Sequence, residues 1–477
     1  MNAPGVRPGL LLAALVVLGC GCAARAPETP PLVELPETFS TVGDGQLADQ
    51  WWTVFADPDL SALIEQGLGA NFDLRSAWDR LAQAEAIARR ETAPLFPSLD
   101  LQASTTRTEL TQTAAQGSGA GGRNDVRLGI ATSYEIDLWG RVRALRSAAR
   151  RDVDARVADV DIAAITLSAE IAATWFELVE QRRQVDVLDA QIGTNERVLE
   201  LIGLRYQRGR VAAADVLRQR QLLESTRGER PLLEARAGVL EHLLATLIGV
   251  APGTADLPAA RALPELPELP AAGLPADVIA RRPDVHSAYL AILAEDRRLA
   301  AARADRYPRL SLTGNASFAA RDLRDLFDNW LATLTANLVA PLLDGGSRAA
   351  EVDRVRAVVS ERVHDYGQTV LIALREVEDA LTRERAQREY LASLVAQLET
   401  SRVVVERIGE QYLFGATDYL EVLTALATNQ NLQRRRETAV RELLGFRVEL
   451  HRAIAGRFGV TRPELAGADA LAAGADQ

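Results

Sequence analysis

Residues 185–206, VDVLDAQIGTNERVLELIGLRY, and residues 391–412, LASLVAQLETSRVVVERIGEQY, carry the same pattern, and that duplication decides how the chain is read. In the first stretch Val185, Leu188, Ile192, Leu199, Ile202 and Tyr206 step by threes and fours with one position skipped. Adding 206 to each number gives Leu391, Leu394, Leu398, Val405, Ile408 and Tyr412. Such steps mark one face of a long helix packed along its length. The agreement runs on through Gly209 and Gly415 to Asp215-Val216-Leu217 and Glu421-Val422-Leu423. A repeat this long is no solenoid unit, whose period is roughly 20–50 residues. The chain is two copies of one half.

Composition narrows the choices. The 477 residues are 48% hydrophobic and 25% charged, enough for one large or two ordinary domains. A net charge of −11 argues against a nucleic-acid partner, which needs a concentrated basic face. Every basic residue is arginine. The absence of lysine excludes a Walker A loop, a Schiff-base enzyme and a kinase-type catalytic lysine.

The two cysteines, Cys20 and Cys22, follow Arg7 and the apolar run Leu10–Leu18. A basic start, a short apolar core and small residues describe an export signal over residues 1–19, too short to span a bilayer permanently. Val17-Leu18-Gly19-Cys20 has the form of a bacterial lipoprotein cleavage box, so Cys20 is the expected lipidation site. The alternatives are acylation of Cys22 or a plain cut near Ala23-Ala24. A lipidated tether follows over residues 20–57, proline-rich from 23 to 37.

The first repeat is read over residues 58–250: a helix over 58–92, a β-hairpin at about 98–138 and a helical hairpin at about 141–248. In the hairpin's return strand Val126, Leu128, Ile130, Thr132, Tyr134, Ile136 and Leu138 share one side, and Arg127, Gly129, Ala131, Ser133, Glu135 and Asp137 the other. A polar loop is expected over 111–125. Residues 251–275 form a linker in which repeated prolines prevent regular structure. The second repeat covers 276–458, with a helix over 276–305, a β-hairpin at about 309–342 and a helical hairpin at about 347–457. Residues 459–477 read as a disordered tail. Gly140 and Gly345 stand at the two strand-to-helix junctions, where a residue without a side chain eases the turn.

A helical run of some 65 residues reaches roughly 100 Å, and no helix reads as apolar enough to cross a membrane. The strands do have the length and single apolar face of an outer-membrane barrel, which needs about 8 strands at least. Four strands cannot close, and open edges are forbidden in lipid. Two or three chains would give eight or twelve strands. The rival reading is a soluble hairpin on a coiled-coil protein.

Several stretches carry a family resemblance. Trp51-Trp52, Phe55 and Asp57-Pro58-Asp59-Leu60 come first, then Asn71-Phe72-Asp73-Leu74 with Ala77 and Arg80. Tyr134-Glu135-Ile136-Asp137-Leu138-Trp139-Gly140-Arg141 ends the first hairpin. Arg281-Arg282-Pro283-Asp284-Val285 opens the second half, and Pro341-Leu342-Leu343-Asp344-Gly345-Gly346-Ser347-Arg348 closes its hairpin. In these the chain resembles the TolC-type outer-membrane factors, in the lipoprotein (NodT/OprM-like) branch that serves resistance-nodulation-division (RND) pumps. The resemblance implies an α+β membrane protein: a homotrimer whose 12-stranded outer-membrane β-barrel continues as a long α-helical barrel across the periplasm. It implies a periplasmic membrane fusion (adaptor) protein and an inner-membrane RND transporter as partners, with outer-membrane lipid around the strands.

The resemblance also marks the tips, Gln207–Asp215 and Leu413–Glu421, as the periplasmic gate and adaptor contact. Asp215 and Glu421 match family acids there, and Tyr412 matches an aromatic that helps hold the end shut. Thr424 stands where the best-known pattern has a further acid, which thins the ring of charge. Arg208 or Arg210 is expected to latch Glu421. The plainer reading is that both acids simply favour helix starts. No cofactor and no metal are implied: His242, His286, His364 and His451 are isolated, without ligand spacing. Trp51, Trp52, Trp139 and Trp330 are candidate interfacial anchors, Trp139 and Trp330 the better placed.

The function expected is a passive exit duct of a tripartite efflux pump for small toxic compounds. A duct for type I protein secretion, or a periplasmic coiled-coil scaffold, is the alternative. Nothing suggests an enzyme.

Overall fold

The computed structural model of the chain describes residues 33–110 apart from 42, 44 and 46–49, residues 121–456 apart from 272, and residues 459, 461 and 462. The export signal, Cys20, Cys22, residues 111–120 and almost all of the 459–477 tail lie outside the described residues.

Both repeats lay down one series. In the first, α1 (Pro58–Ala70) and α2 (Phe72–Thr92) lead into β1 (Ser98–Leu110) and β2 (Gly121–Ile136). Then come α3 (Arg141–Gln207) and α4 (Ala213–Leu247). In the second, α5 (Pro275–Arg281) and α6 (Pro283–Ala304) lead into β3 (Arg309–Ala320) and β4 (Trp330–Val339), followed by α7 (Ser347–Leu413) and α8 (Tyr419–Ile454). Helices α3 and α7 have 67 residues each.

The single helices read at 58–92 and 276–305 are each broken. At the first break Asn71 caps α2, its Oδ1 accepting from the Asp73 and Leu74 amides at 2.9 and 3.0 Å while Nδ2 donates to the Leu247 carbonyl. At the second, Pro283 forces Arg282 into an extended conformation. The buried Arg282 guanidinium pairs with Asp284 at 2.7 Å and Glu376 at 2.8 Å and donates to the Ala453 carbonyl. The last five residues of the polar loop read at 111–125 belong instead to β2, which pairs with β1 from Gly121 onward.

The four strands form one antiparallel sheet in the order β1-β2-β3-β4. The register brings Leu101, Ile130, Ala316 and Ala332 into one row, and Leu128, Phe318 and Trp330 into another. Since side chains alternate along a strand, most apolar residues of the four strands share one face, with Leu331 and Val339 of β4 as exceptions. Gln102, Ser133, Thr313 and Thr335 belong to the other, polar face. Both outer strands keep an unpaired edge among the described residues.

Next to the sheet the helices lie side by side in the order α2-α3-α6-α7; toward the far end the order becomes α4-α3-α8-α7. Each end of the helical region is thus four helices wide, as the sheet is four strands wide. The expectation that no helix is apolar enough to cross a membrane does not hold for α3. One stretch of this helix is long and apolar enough for a membrane span, but most of it is buried within the protein. Its apolar residues form the protein core instead.

That core is a girdle midway along the wall. Trp51, Trp52, Phe55, Leu60 and Ile64 pack onto Ile171, Trp175 and Phe176 of α3, Leu244 of α4 and Leu444 and Val448 of α8. Trp175 Nε1 donates to Asp57 Oδ2 at 2.9 Å, and Asp57 Oδ1 caps α1 through the Leu60 amide. Trp51 and Trp52 are therefore core residues, not interfacial anchors. Fully buried Arg447 grips Glu384 through two hydrogen bonds of 2.8 and 2.6 Å and donates to the Pro267 and Glu268 carbonyls, which ties the proline-rich linker to the girdle.

Candidate functional site

Far from the sheet, both helical hairpins turn back through the same motif. Helix α3 ends with the Arg210 amide donating to the Arg205 carbonyl and Gly209 to Tyr206. Helix α7 ends with Ala416 donating to Gln411 and Gly415 to Tyr412. These are paired Schellman closures. They need a left-handed residue after the helix, and Gly209 and Gly415 supply it with φ of +69° and +77°.

The side chains on these matched backbones differ. Arg208, Arg210 and Ala213 on the first tip face Phe414, Ala416 and Tyr419 at the corresponding positions of the second. Tyr206 is 49% exposed, whereas its counterpart Tyr412 is 8% exposed. Tyr412 packs with Tyr419 and Ile202, against Val198, Val211, Val216 and Val422, so the two tips share one small core. The Arg205 guanidinium lies 4.6 Å from the Tyr412 ring centroid, a cation–π contact. Burial pushes the Tyr412 phenol above its ordinary value; Arg205 opposes this and Asp215 adds to it. Burial raises Tyr419 too, helped by Tyr412 and Asp215. Both phenols stay protonated. Tyr419 donates to Gln219 Oε1 at 2.6 Å, while the buried Tyr412 hydroxyl has no hydrogen-bond partner among the described residues.

The two acids sit at equivalent helix starts. Asp215 pairs with Arg218 at 3.4 Å and accepts from the Ala212 amide. Glu421 accepts from Thr417 Oγ1 at 2.6 Å. Among the described residues no ion pair joins Arg208 or Arg210 to Glu421, so the expected latch is not made within one chain.

Sequence reading missed what holds the tip to the girdle. Along the interface of α3 with α8, glutamines and an asparagine are buried one after another. Gln184 Nε2 donates to Glu180 and to the Arg434 carbonyl, each at 2.9 Å. Gln191 Nε2 donates to the Gln430 carbonyl and Gln433 Oε1, also at 2.9 Å. Gln430 Nε2 donates to Asn195 Oδ1 at 2.9 Å, Asn195 Nδ2 to Thr226 at 3.1 Å, and Gln219 Nε2 to the Asn195 carbonyl at 2.8 Å. The ladder ends on Tyr419. Facing helices α7 and α8, by contrast, meet through Leu394, Leu398, Leu432 and Ala439. The one sequence signal was their spacing, with Gln184, Gln191 and Asn195 in step with Leu188 on the apolar face of the helix.

At the strand-to-helix junctions Gly140 has φ +76° and precedes α3 directly. Gly345 is also left-handed, at +63°, but the residue capping α7 is Gly346, at +87°. Asp137 accepts from the Val142 and Arg143 amides, and Asp344 from Gly346 and Arg348. Trp139 stacks on Tyr307 at 4.8 Å where the sheet meets the helices. Trp330, beside Phe318, stands at the opposite end of the sheet.

A conduit wall with an apolar-faced sheet at one end and a narrow polar tip at the other has relatives. A family model described as outer membrane efflux protein matches residues 63–250 and 274–456, one repeat each. The chain belongs to the outer membrane efflux protein family. The pyoverdine export outer membrane protein OpmQ of Pseudomonas aeruginosa is 30% identical over 472 residues, covering 96% of this chain and 98% of OpmQ. The outer-membrane channel OprN superposes with a TM-score of 0.82 at 27% identity, over 90% of this chain and 99% of OprN. The open state of the Neisseria gonorrhoeae MtrE outer membrane channel gives 0.81 at 25% identity, over 92% and 98%. This chain is an efflux channel of the TolC-like fold, set in the outer membrane with its helices in the periplasm. It is an exit duct and not an enzyme.

Proposed function

We propose that three copies close into one duct, a 12-stranded barrel over a 12-helix tunnel, serving a tripartite pump with a periplasmic adaptor and an inner-membrane RND transporter. The observation that carries this is the pair of open sheet edges, β1 and β4, beneath one shared apolar face. In lipid each edge must find a partner, and β4 of one copy can take β1 of the next until the ring closes. The four-helix width of the wall continues the same count into the periplasm.

In that ring the tips alternate, so Arg208 and Arg210 of one copy lie beside Asp418 and Glu421 of another. The latch is then made between chains, and Asp215, Tyr412 and Glu421 form the gate and adaptor contact. Cys20 carries the lipid. A strain lacking the gene, tested against antibiotics, dyes, bile salts and metal salts, should gain sensitivity that the wild-type gene restores and a tip-deleted gene does not. An unchanged panel together with altered secreted proteins would favour protein secretion instead.

A further inference from the structure

We propose that the groove between α7 and α8 above the second tip binds small amphipathic organic cations bearing N–H donors. Its volume, about 830 Å³, lies in the range that holds a small molecule. The chain carries 54 basic and 65 acidic residues, yet among the described residues Glu421 is the single charged one lining this groove. The neighbouring groove between α4 and α8, about 790 Å³, is lined instead by Arg218 and Arg435. The two share Gln397, Thr424, Thr428 and Leu432, so the same threonines stand between Glu421 on one side and Arg218 and Arg435 on the other.

The hydrogen bonding of the walls sharpens the selection. Thr400 donates its hydroxyl proton to the Ala396 carbonyl at 2.9 Å, and Thr424 and Thr428 donate to the Leu420 and Thr424 carbonyls at 2.8 Å. A hydroxyl has one proton and two lone pairs. With that proton committed to its own helix, each threonine presents only acceptors to a ligand. Gln397 turns one amide proton onto Ser393 Oγ at 3.1 Å, and the Glu421 carboxylate keeps lone pairs free beside its bond from Thr417, which a ligand reaches when the latch to a neighbouring copy is open. Val404 and Leu420 supply apolar wall between these groups.

An anion would meet the Glu421 carboxylate and the threonine lone pairs, with the Ser393 and Ser401 hydroxyls and one Gln397 amide proton as donors. A neutral hydrocarbon would gain burial but no directed bond. A protonated amine on an apolar body satisfies both, because its N–H groups make charge-assisted bonds to the threonine oxygens and Glu421 while the body covers the apolar wall. The site goes beyond the duct reading: it depends on the α7–α8 pair, whereas the duct reading is tested by susceptibility, so either can fail alone.

The test is calorimetric titration of 2-naphthylmethylammonium into the full-length protein in nanodiscs. Saturable binding is expected, weakened about tenfold or more in Thr424→Val/Thr428→Val and in Glu421→Gln. The N,N,N-trimethyl derivative keeps the charge without N–H donors and should also bind about tenfold more weakly to the unaltered protein. Absence of saturable heat, equal binding of both cations, or unaltered affinity in variants that melt like the parent would overturn the proposal. If a variant does not fold, the comparison of the two cations on the parent decides the matter.

Discussion

The first and second tips are one backbone carrying two chemistries. Both hairpins close through the same hydrogen bonds and the same left-handed glycine, yet one turn exposes Arg208 and Arg210 and the other a 90% exposed Phe414. The helices behind them differ in the same way: toward the tips the α3–α8 seam is a ladder of buried amides, whereas the α7–α8 seam packs Leu394, Leu398 and Leu432 and keeps its directed bonds, Gln387 to the Ala439 carbonyl and Arg447 to Glu384, nearer the girdle. Backbone geometry depends on few residues and survives duplication, while the surfaces it presents are free to diverge. Buried amides pair only in one register, so the ladder fixes how the two repeats align. The leucines supply cohesion without directed bonds.

The largest expected effect probes that contrast directly. Asn195→Ala strips Gln430 of its buried partner and should cost about 2–3 kcal/mol in urea unfolding. Ser401→Ala, at the equivalent place in the second repeat, should stay within about 0.5 kcal/mol; equal losses would dissolve the distinction between the seams. The repeats also differ at His451, whose counterpart is Ala245. His451 is buried against Trp51, and burial, then Arg447, depresses its imidazole to about 3. The unfolded histidine takes a proton below about pH 6.5 that the folded one refuses. Stability is therefore full above that pH and falls on acidification toward 3. About 2–3 kcal/mol should be lost by pH 4.5, and His451→Phe should flatten the profile.

Smaller effects separate the two tip tyrosines. Tyr419→Phe leaves Gln219 Oε1 without its donor and should cost about 1–2 kcal/mol. Tyr412→Phe removes a hydroxyl that has no partner among the described residues and should change chain stability little. Smallest is the shared backbone. Gly209→Ala and Gly415→Ala meet open space but keep a left-handed φ, so each should cost about 1 kcal/mol, and by the same amount. Unequal costs would show that the turns are not equivalent.

Much of the fold was legible because its signals are periodic. Alternation from Val126 to Ile136 announces a strand with one apolar face, and the 206-residue offset announces the second helical hairpin from the first. The break at Asn71 was hidden inside an unbroken helical pattern, because a side-chain cap makes it and a cap has no period; the break at Arg282 was signalled by Pro283, but the buried ion pairs that hold Arg282 there were not. Trp51 and Trp52 looked like interface aromatics because sequence does not say that α3 passes over them. Gly346 was hidden behind its neighbour Gly345. The amide ladder was least legible: Gln184, Gln191 and Asn195 sit at core spacing but carry surface chemistry, and only their partners on α8 explain them.

Everything proposed for the duct rests on how many chains close the sheet. Native mass spectrometry of the protein extracted from outer membranes in mild detergent measures that number directly. Three chains, each heavier by the lipid on its N-terminal cysteine, are expected from a four-stranded sheet completing a 12-stranded barrel. A stable species of one chain, or of two chains with eight strands, would contradict it.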